Sequence, residues 1–578
     1  MLLILVLLVL AKAELTLYAQ SAQNIRITNQ AAADILAGDF EVSDFPGGTD
    51  LDIVANLPQT LIDQLEPDSM QAMLLELRTY GNRNTGSDTV SATNGIGAAR
   101  RWVHDRLADF SARSGGRLQV GYIAFDQLVC DMTAHRNVIG VLPGTGPHAD
   151  EFIVVEGHLD SRCAERCDID CPAEGMEDNG SGTALVMELA RVMSQYRLDR
   201  SVVFMLTTGE EQGLVGAAAF ADYCLANNLK VAAVLNNDVI GGVICGQTAS
   251  PPGCPGLNDI DSINVRIYSS QSVRNLARYT KLAYNERVAP LLASPSIINI
   301  MSVEDRFGRG GDHIPFRENG YNAIRFTSAN EHGDADASDP AYMDRQHTSE
   351  DVLGLDTNND GALDSFFVDF RYLYRNAIIN GEALGLLSTA PQGPQRVDAD
   401  ILDSRVAIAI EDSQQRDSFL LAIRIDNNTD WDTLLRVAAI DTLTLDVDLY
   451  YLSAAWVDDR GIPSQWTFEE RARVRVSSTG ELVAPVRDLE LLPNVPNPFD
   501  DATTFRVEVN TTRAPAQGLI VVRDVQGRVL SELPISLAPG IQEVRYAFAS
   551  HDYVEGNYSY SLVVNGEVVD TKWMVYAY

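Results

Sequence analysis

Residues 154–216 read VVEGHLDSRCAERCDIDCPAEGMEDNGSGTALVMELARVMSQYRLDRSVVFMLTTGEEQGLVG. Short apolar runs at 152–156 and 201–207 have the length and bounds of buried strands. Between them, 182–196 repeats its apolar positions at helical spacing. A strand, a helix and a second strand predict parallel pairing through a crossover. The polar groups fall in three clusters: His158 with Asp160, Asp178 in the turn-forming EDNGSG, and Glu210 with Glu211. Each cluster stands where an apolar run ends or small residues gather. In an open α/β sheet, the carboxyl ends of strands are where ligands bind.

The alternation continues on both sides. Helices are expected at 70–80 and 96–111 and strands at 120–125 and 137–142. Downstream, strands at 231–236, 263–269 and 322–327 interleave with helices at 214–226, 272–286 and 364–384. The fold class read from this is α/β: a mostly parallel twisted sheet with helices on both faces. Residues 23–69 are acidic and weakly patterned, and read as an N-terminal extension or pro-segment. After 386 the texture changes. STAPQGPQR opens a linker at 387–396, and strand-like runs then follow without helices, so two β-sandwich modules are expected at 397–480 and 481–578. Residues 1–10 (MLLILVLLVL) form an apolar run of signal-peptide length that lacks the usual basic start. Cleavage is expected after the small residues ending at Ala22, with export as the consequence.

Of the 578 residues, 44 are Lys or Arg and 80 are Asp or Glu, a formal charge of -36. That balance argues against nucleic acid as a partner, because phosphate binding needs clustered basic side chains. No later run is long enough to form a transmembrane helix in the mature chain. Seven cysteines leave at least one unpaired if the others bond. In an exported chain, Cys163, Cys167 and Cys171 read as disulfide partners rather than a metal cluster, with their pairing open. Cys245 and Cys254 flank a Pro/Gly loop and read as a local disulfide.

Zinc takes imidazole nitrogen and carboxylate oxygen, and a pair of zinc ions is served by a shared carboxylate. His158 ends a strand, and Asp160 can hold its other ring nitrogen. Asp178, held just before a helix, can project between two ions. Glu210 and Glu211 are adjacent at a strand end and point to opposite sides, so they can take different tasks. Asp238 ends AAVLNND, and His347 stands in RQHTSED with Asp351 as a candidate orienting partner. A separate stretch, DTNNDGALD, places Asp356, Asn358 and Asp360 before Gly361, with Asp364 following. It reads either as a calcium loop or as an Asn/Asp-rich turn capping the next helix; Phe367 at the twelfth position rules out a complete EF-hand.

Taken in order, GHLDS, MEDNGSG, TTGEEQGLVGA, LNNDVIG, GGDHIPF and QHTSED resemble the M28 family of zinc peptidases over residues 70–386. The resemblance implies a zinc-exopeptidase fold and two zinc ions. His158 and Asp238 would hold one ion, Glu211 and His347 the other, and Asp178 would bridge them. Glu210 would be the general base for a metal-bridging water, and Asp160 would orient His158. Asp312 and His313 match a Ser-Asp-His element in which Gly311 replaces the serine, and are read as pocket wall. The activity implied is that of an aminopeptidase acting on peptides or proteins. The alternatives are glutamate-carboxypeptidase-type hydrolysis, glutaminyl cyclisation, and a non-enzymatic adhesin using the β modules. TLDVDLYYLSAAWVDDRGIPSQW resembles the end of a fibronectin type III module. From residue 491, LLPNVPNPF, VVRDVQGRVL and GNYSYSLVV resemble a type IX secretion sorting domain. That resemblance implies contact with the type IX machinery and a secreted or cell-surface destination. A monomer is expected.

Overall fold

The computed structural model describes residues 21–245, 254, 256, 258–305, 310–329, 345–402, 405–426, 428–446, 448–474, 489–499, 502–510, 517–523, 528–547, 556–564 and 567–576. The apolar leader therefore lies outside the described residues, as does most of the DVQGR hairpin. The chain divides into two compact units, Met1–Val476 and Ser477–Tyr578.

A nine-stranded sheet organises the first unit. Its strands in chain order are β1 (Gln23–Ile27), β2 (Gln119–Val129), β3 (Met132–Leu142), β4 (Glu151–His158) and β5 (Ser201–Thr207). They continue with β6 (Lys230–Asn237), β7 (Asn264–Tyr268), β8 (Ile297–Ile300) and β9 (Ala323–Ser328). The spatial order is β1-β2-β3-β5-β4-β6-β9-β7-β8.

The sheet is mixed, which corrects the mostly parallel expectation. β5, β4, β6 and β9 run parallel in the centre, and β8 pairs parallel with β7. The pairs β1–β2, β2–β3, β3–β5 and β9–β7 are antiparallel. The cause on one flank is local. Val129 pairs with Met132 across Cys130 and Asp131, which take φ of 48° and 62°. A two-residue turn with both centres left-handed makes a hairpin, and no parallel crossover fits in that length.

The helices are α1 (Gln30–Ala37), α2 (Ile53–Gln64), α3 (Pro67–Leu77), α4 (Gly95–Arg113) and α5 (Ser181–Met193). They are followed by α6 (Val215–Ala226), α7 (Arg274–Ala283), α8 (His313–Glu318) and α9 (Phe370–Thr389). Alternate β4 side chains enter different cores. Ile153 and Val155 pack with residues of α2, α3, α4, α5, α7 and α9, whereas Phe152 and Val154 pack with α1, α6 and α8. The weakly patterned start of the chain belongs to this body: β1 pairs with β2, and Leu57 and Leu61 of α2 are fully buried. Helix α9 begins later than the expected 364. Asp369 caps it, its carboxylate accepting the amides of Arg371 and Tyr372 at 2.9 Å.

Residues 396–473 form a three-stranded and a four-stranded antiparallel sheet around one apolar core. This sandwich packs on the α/β body: Trp466, Ile462, Ala455 and Ala422 join the larger core, and Asn275 of α7 donates to Ser453 at 2.7 Å. The second unit has its own three-stranded and four-stranded sheets, with Phe505, Tyr560 and Tyr576 buried between them. Among the described residues, no helix is long and apolar enough to cross a membrane.

Three disulfides pair Cys130 with Cys167, Cys163 with Cys171 and Cys245 with Cys254. Cys224 is the buried free thiol that the odd count required. Cys130–Cys167 ties the insert after β4 to the β2–β3 hairpin tip, and Cys163–Cys171 closes the insert on itself. Asn82 and Asn84 hold the same insert by donating to the carbonyls of Cys171 and Arg166 at 2.7 and 2.8 Å.

Candidate functional site

The carboxyl ends of the central parallel strands gather the polar clusters. β4 ends at His158, and β5 ends at Thr207, three residues before Glu210. Asp238 directly follows β6. Asp178 lies in the turn before α5, and His347 arrives on a segment after β9. Close approach of α5 to the strand ends depends on Gly182. A Cβ there would stand 2.3 Å from the Asn237 carbonyl oxygen and 2.5 Å from Asn179 Oδ1. Gly182→Ala is therefore expected to destabilise the first unit by about 1–3 kcal/mol and to disturb the Asp178 turn. Chemical denaturation of the variant checks this; unchanged stability would mean that the helix can shift freely.

His158 Nε2 lies 3.0 Å from Asp178 Oδ1 and 3.2 Å from Asp238 Oδ1. His347 Nε2 lies 3.0 Å from Asp178 Oδ2 and 3.2 Å from Glu211 Oε2. Two triplets of donor atoms thus share one carboxylate, each of whose oxygens faces a different imidazole. Single donor atoms of His158, Glu210 and Asp238 also lie within 4.8 Å of one another, as do those of His158, Asp178 and Glu211. His158, Asp178, Glu211 and Asp238 are buried, while Glu210 and His347 are partly open.

The surrounding groups differ in part from expectation. His158 Nδ1 meets the backbone carbonyl of Asp160 at 3.0 Å, whereas the nearest oxygen of the Asp160 carboxylate is 3.7 Å away. That carboxylate instead accepts the Glu210 and Glu211 amides at 3.3 Å each and the Thr85 hydroxyl at 3.2 Å. It ties the β4 end to the β5 end. Asp351 does not orient His347. Its two oxygens accept the amides of Glu177 and Asp178 at 2.8 and 3.0 Å, which fixes the Asp178 turn. The group against His347 Nδ1 is the Arg162 guanidinium, at 2.7 Å. Asp312 accepts from the Thr207 hydroxyl, and His313 Nε2 lies 3.3 Å from the Glu304 carbonyl; both are fully buried behind the cluster.

Sequence reasoning missed Arg162, Arg325, Gln346 and Arg83. Arg325 Nη2 lies 2.9 Å from Asp238 Oδ2, with its other end on Asp305 at 3.1 Å. Gln346 donates to Asp178 Oδ2 at 2.7 Å. Arg83 donates to the carbonyls of Leu159, Glu174 and Gly175, bracing the loops that carry Asp160 and Asp178. No periodicity marks any of these. The calcium-loop candidates sit elsewhere, turned onto their own backbone. Asp364 accepts the amides of Thr357 and Asn358 at 2.7 and 3.1 Å, and Asp356 accepts those of Asp360 and Gly361 at 3.2 and 2.9 Å. Asn358 Oδ1 also accepts the Asp360 amide, at 2.9 Å. The turn does not cap α9, which starts beyond it.

Burial pushes the Glu210 carboxyl well above the usual carboxylate range, with Asp238, Glu211 and Asp312 adding to it against His158. Asp178 goes the other way: against the cost of burial, hydrogen bonds from His158 and His347 hold it well below. Burial raises Asp312 and Asp351 to about 7 each. Four carboxylates crowd two imidazoles here, and Glu211 Oε1 is buried with no hydrogen-bond partner. Buried carboxylates in such excess must take up protons or be balanced by cations. A donor set of imidazole nitrogen and carboxylate oxygen suits zinc.

A mixed α/β sheet with a His/carboxylate cluster at its strand ends defines a class of metal-dependent hydrolase. The sequence pattern described as peptidase family M28 matches residues 137–367. A "probable zinc metalloprotease" of Pyricularia oryzae is 30% identical over 370 residues, covering 60% of this chain and 70% of that one. Another, from Leptosphaeria maculans, is 29% identical over 409 residues, covering 67% and 90%. The chain belongs to peptidase family M28 and is a zinc metallopeptidase of that family. Among solved structures, LapA aminopeptidase of Legionella pneumophila aligns with a TM-score of 0.42 at 17% identity, over 58% of this chain and 75% of that one.

Proposed function

We propose that this chain is an exported exopeptidase using two zinc ions, and that it releases N-terminal amino acids from peptides. The observation carrying this reading is Asp178, whose two oxygens lie 3.0 Å from two different histidines. His158 and Asp238 would hold one ion, Glu211 and His347 the other, and Asp178 would serve both. When bound, zinc supplies the Lewis acidity that makes water acidic and a peptide carbonyl electrophilic. The chain's own residues do the rest. Glu210, partly open at the β5 end, takes a proton from water and hands it to the leaving amine. Asp160 keeps Glu210 and Glu211 in register with His158 by accepting both their amides. Arg325 draws the outer oxygen of Asp238 away and leaves Oδ1 facing His158. Asp351 holds the turn from which Asp178 projects.

Export is supported by the disulfides of the insert and by the apolar leader. The second unit is read as a type IX sorting domain and the first sandwich as a fibronectin type III-like module, both on their sequence patterns. The enzyme is read as a monomer. The test is a panel of aminoacyl, N-blocked and C-terminal reporter peptides, with metal analysis of the same sample. Free N-terminal amino acids and two zinc ions per chain are expected, with hydrolysis lost on chelation and restored by zinc. C-terminal release would favour the carboxypeptidase reading. One zinc with pyroglutamate formed would overturn the peptidase reading. Ligand binding with no hydrolysis in the presence of zinc would favour the adhesin.

A further inference from the structure

Arg162 stands inside the cluster, and the reaction above gives it no task. Its Nε donates to Glu211 Oε2 at 2.7 Å, and its Nη2 lies 2.7 Å from His347 Nδ1. Nη1 donates to the carbonyls of Cys163 and Ala164 at 3.2 and 2.9 Å. Those carbonyls belong to the insert closed by Cys163–Cys171 and tied to the hairpin by Cys130–Cys167. The guanidinium is therefore held from both sides.

The oxygen that Arg162 takes is the inner one. Glu211 Oε2 is also the oxygen 3.2 Å from His347 Nε2, where a metal on that side would bind. The other triplet is built in the opposite sense. Arg325 takes Asp238 Oδ2, the outer oxygen, and leaves Oδ1 directed at His158. His158 Nδ1 meets the backbone carbonyl of Asp160, a neutral acceptor of the kind that holds a metal-bound imidazole in place. His347 Nδ1 faces a guanidinium, which has no lone pair to offer. Arg162 thus stands against His347 in the place that a backbone carbonyl takes against His158. One triplet presents its donors to a cation, and the other has its donors engaged by a cation of the chain.

We propose that Arg162 is a built-in competitor for the second metal subsite. Metal fills the His158–Asp178–Asp238 side first. It fills the Asp178–Glu211–His347 side only by displacing the guanidinium, so the two affinities are far apart. The proposal rests on the two-metal reading.

The test strips the full-length protein with a chelator and titrates it with Zn2+ calorimetrically, against a competing chelator of known affinity. Wild type should show two dissociation constants separated by about a hundredfold or more. In Arg162→Gln the weaker one should tighten by about tenfold or more, while the tighter one moves by less than about twofold. Arg162→Lys keeps the charge but loses the fork, and should fall between the two; circular dichroism of both variants verifies the fold. An unchanged or weakened second affinity in Arg162→Gln would overturn the proposal, because Arg162 would then support the ligands. Two equal affinities in wild type would overturn it too, and leave the two-metal reading standing. Fewer than two zinc ions at saturation would sink both.

Discussion

Glu210→Gln is expected to lower peptide hydrolysis by about 10²–10⁴-fold while leaving zinc content and the unfolding midpoint close to wild type. Glutamine matches glutamate in shape but cannot accept and return the proton. The carboxyl is raised well above its ordinary range by burial and by the neighbouring Asp238, Glu211 and Asp312 charges, against His158. Such a carboxyl holds a proton long enough to deliver it to a leaving amine. Neutralising one carboxylate in a crowded acidic cluster also relieves repulsion, so the fold should not suffer. Steady-state kinetics on the best reporter peptide, with metal analysis of the same preparation, give the answer. Activity within about tenfold of wild type would mean that another group moves the proton.

If the two-zinc reading proposed above holds, Asp178→Ala is expected to cost both ions where loss of Asp238 or His347 would cost mainly one. Each Asp178 oxygen lies 3.0 Å from a different histidine, so a single truncation removes a donor from both triplets. Affinity at each subsite should fall by at least about a hundredfold, more than removal of an outer hydrogen-bond partner costs. Competition titration with a chromogenic chelator measures this. A variant that lost one ion and kept the other at wild-type affinity would show that Asp178 serves one side alone.

Four of the site residues that could be read from sequence stand at or just beyond a strand end, whereas Asp178 and His347 are read from loop motifs. His158, Glu210, Glu211 and Asp238 follow apolar runs whose length fixes where each strand stops, and β4, β5 and β6 stop there. The order of strands and the direction of the flanks could not be read in the same way. The β2–β3 hairpin turns on two non-glycine residues at positive φ, and no local pattern announces that at Cys130 and Asp131. Strand β8 has four residues, too few for a periodicity to emerge. Helix α2 carries Pro58 in its interior, which masks it as an irregular segment. Arg162 meets Glu211 and His347 across 49 and 185 residues of chain. Contacts of that kind are set by the fold and leave no mark on the neighbouring sequence. The Asp160 carboxylate is an intermediate case. Its place beside His158 could be read, but its bonds to the Glu210 and Glu211 amides could not.

The seam between α7 and the first sandwich bears on how the enzyme can be cut or recombined. Arg278, 2% exposed, donates to Glu469 at 2.8 Å and to the Thr429 carbonyl at 2.6 Å, and Arg424 grips the same Glu469 at 2.8 and 2.9 Å. Arg460 reaches back to the Thr389 carbonyl at the end of α9 at 2.8 Å. A fragment ending near residue 386, where the family resemblance ends, would strip these partners and expose the apolar ground beneath Trp466. The smallest heritable unit of this peptidase therefore carries its sandwich with it, and a shuffled gene that kept only the α/β half would inherit an open wound on one flank.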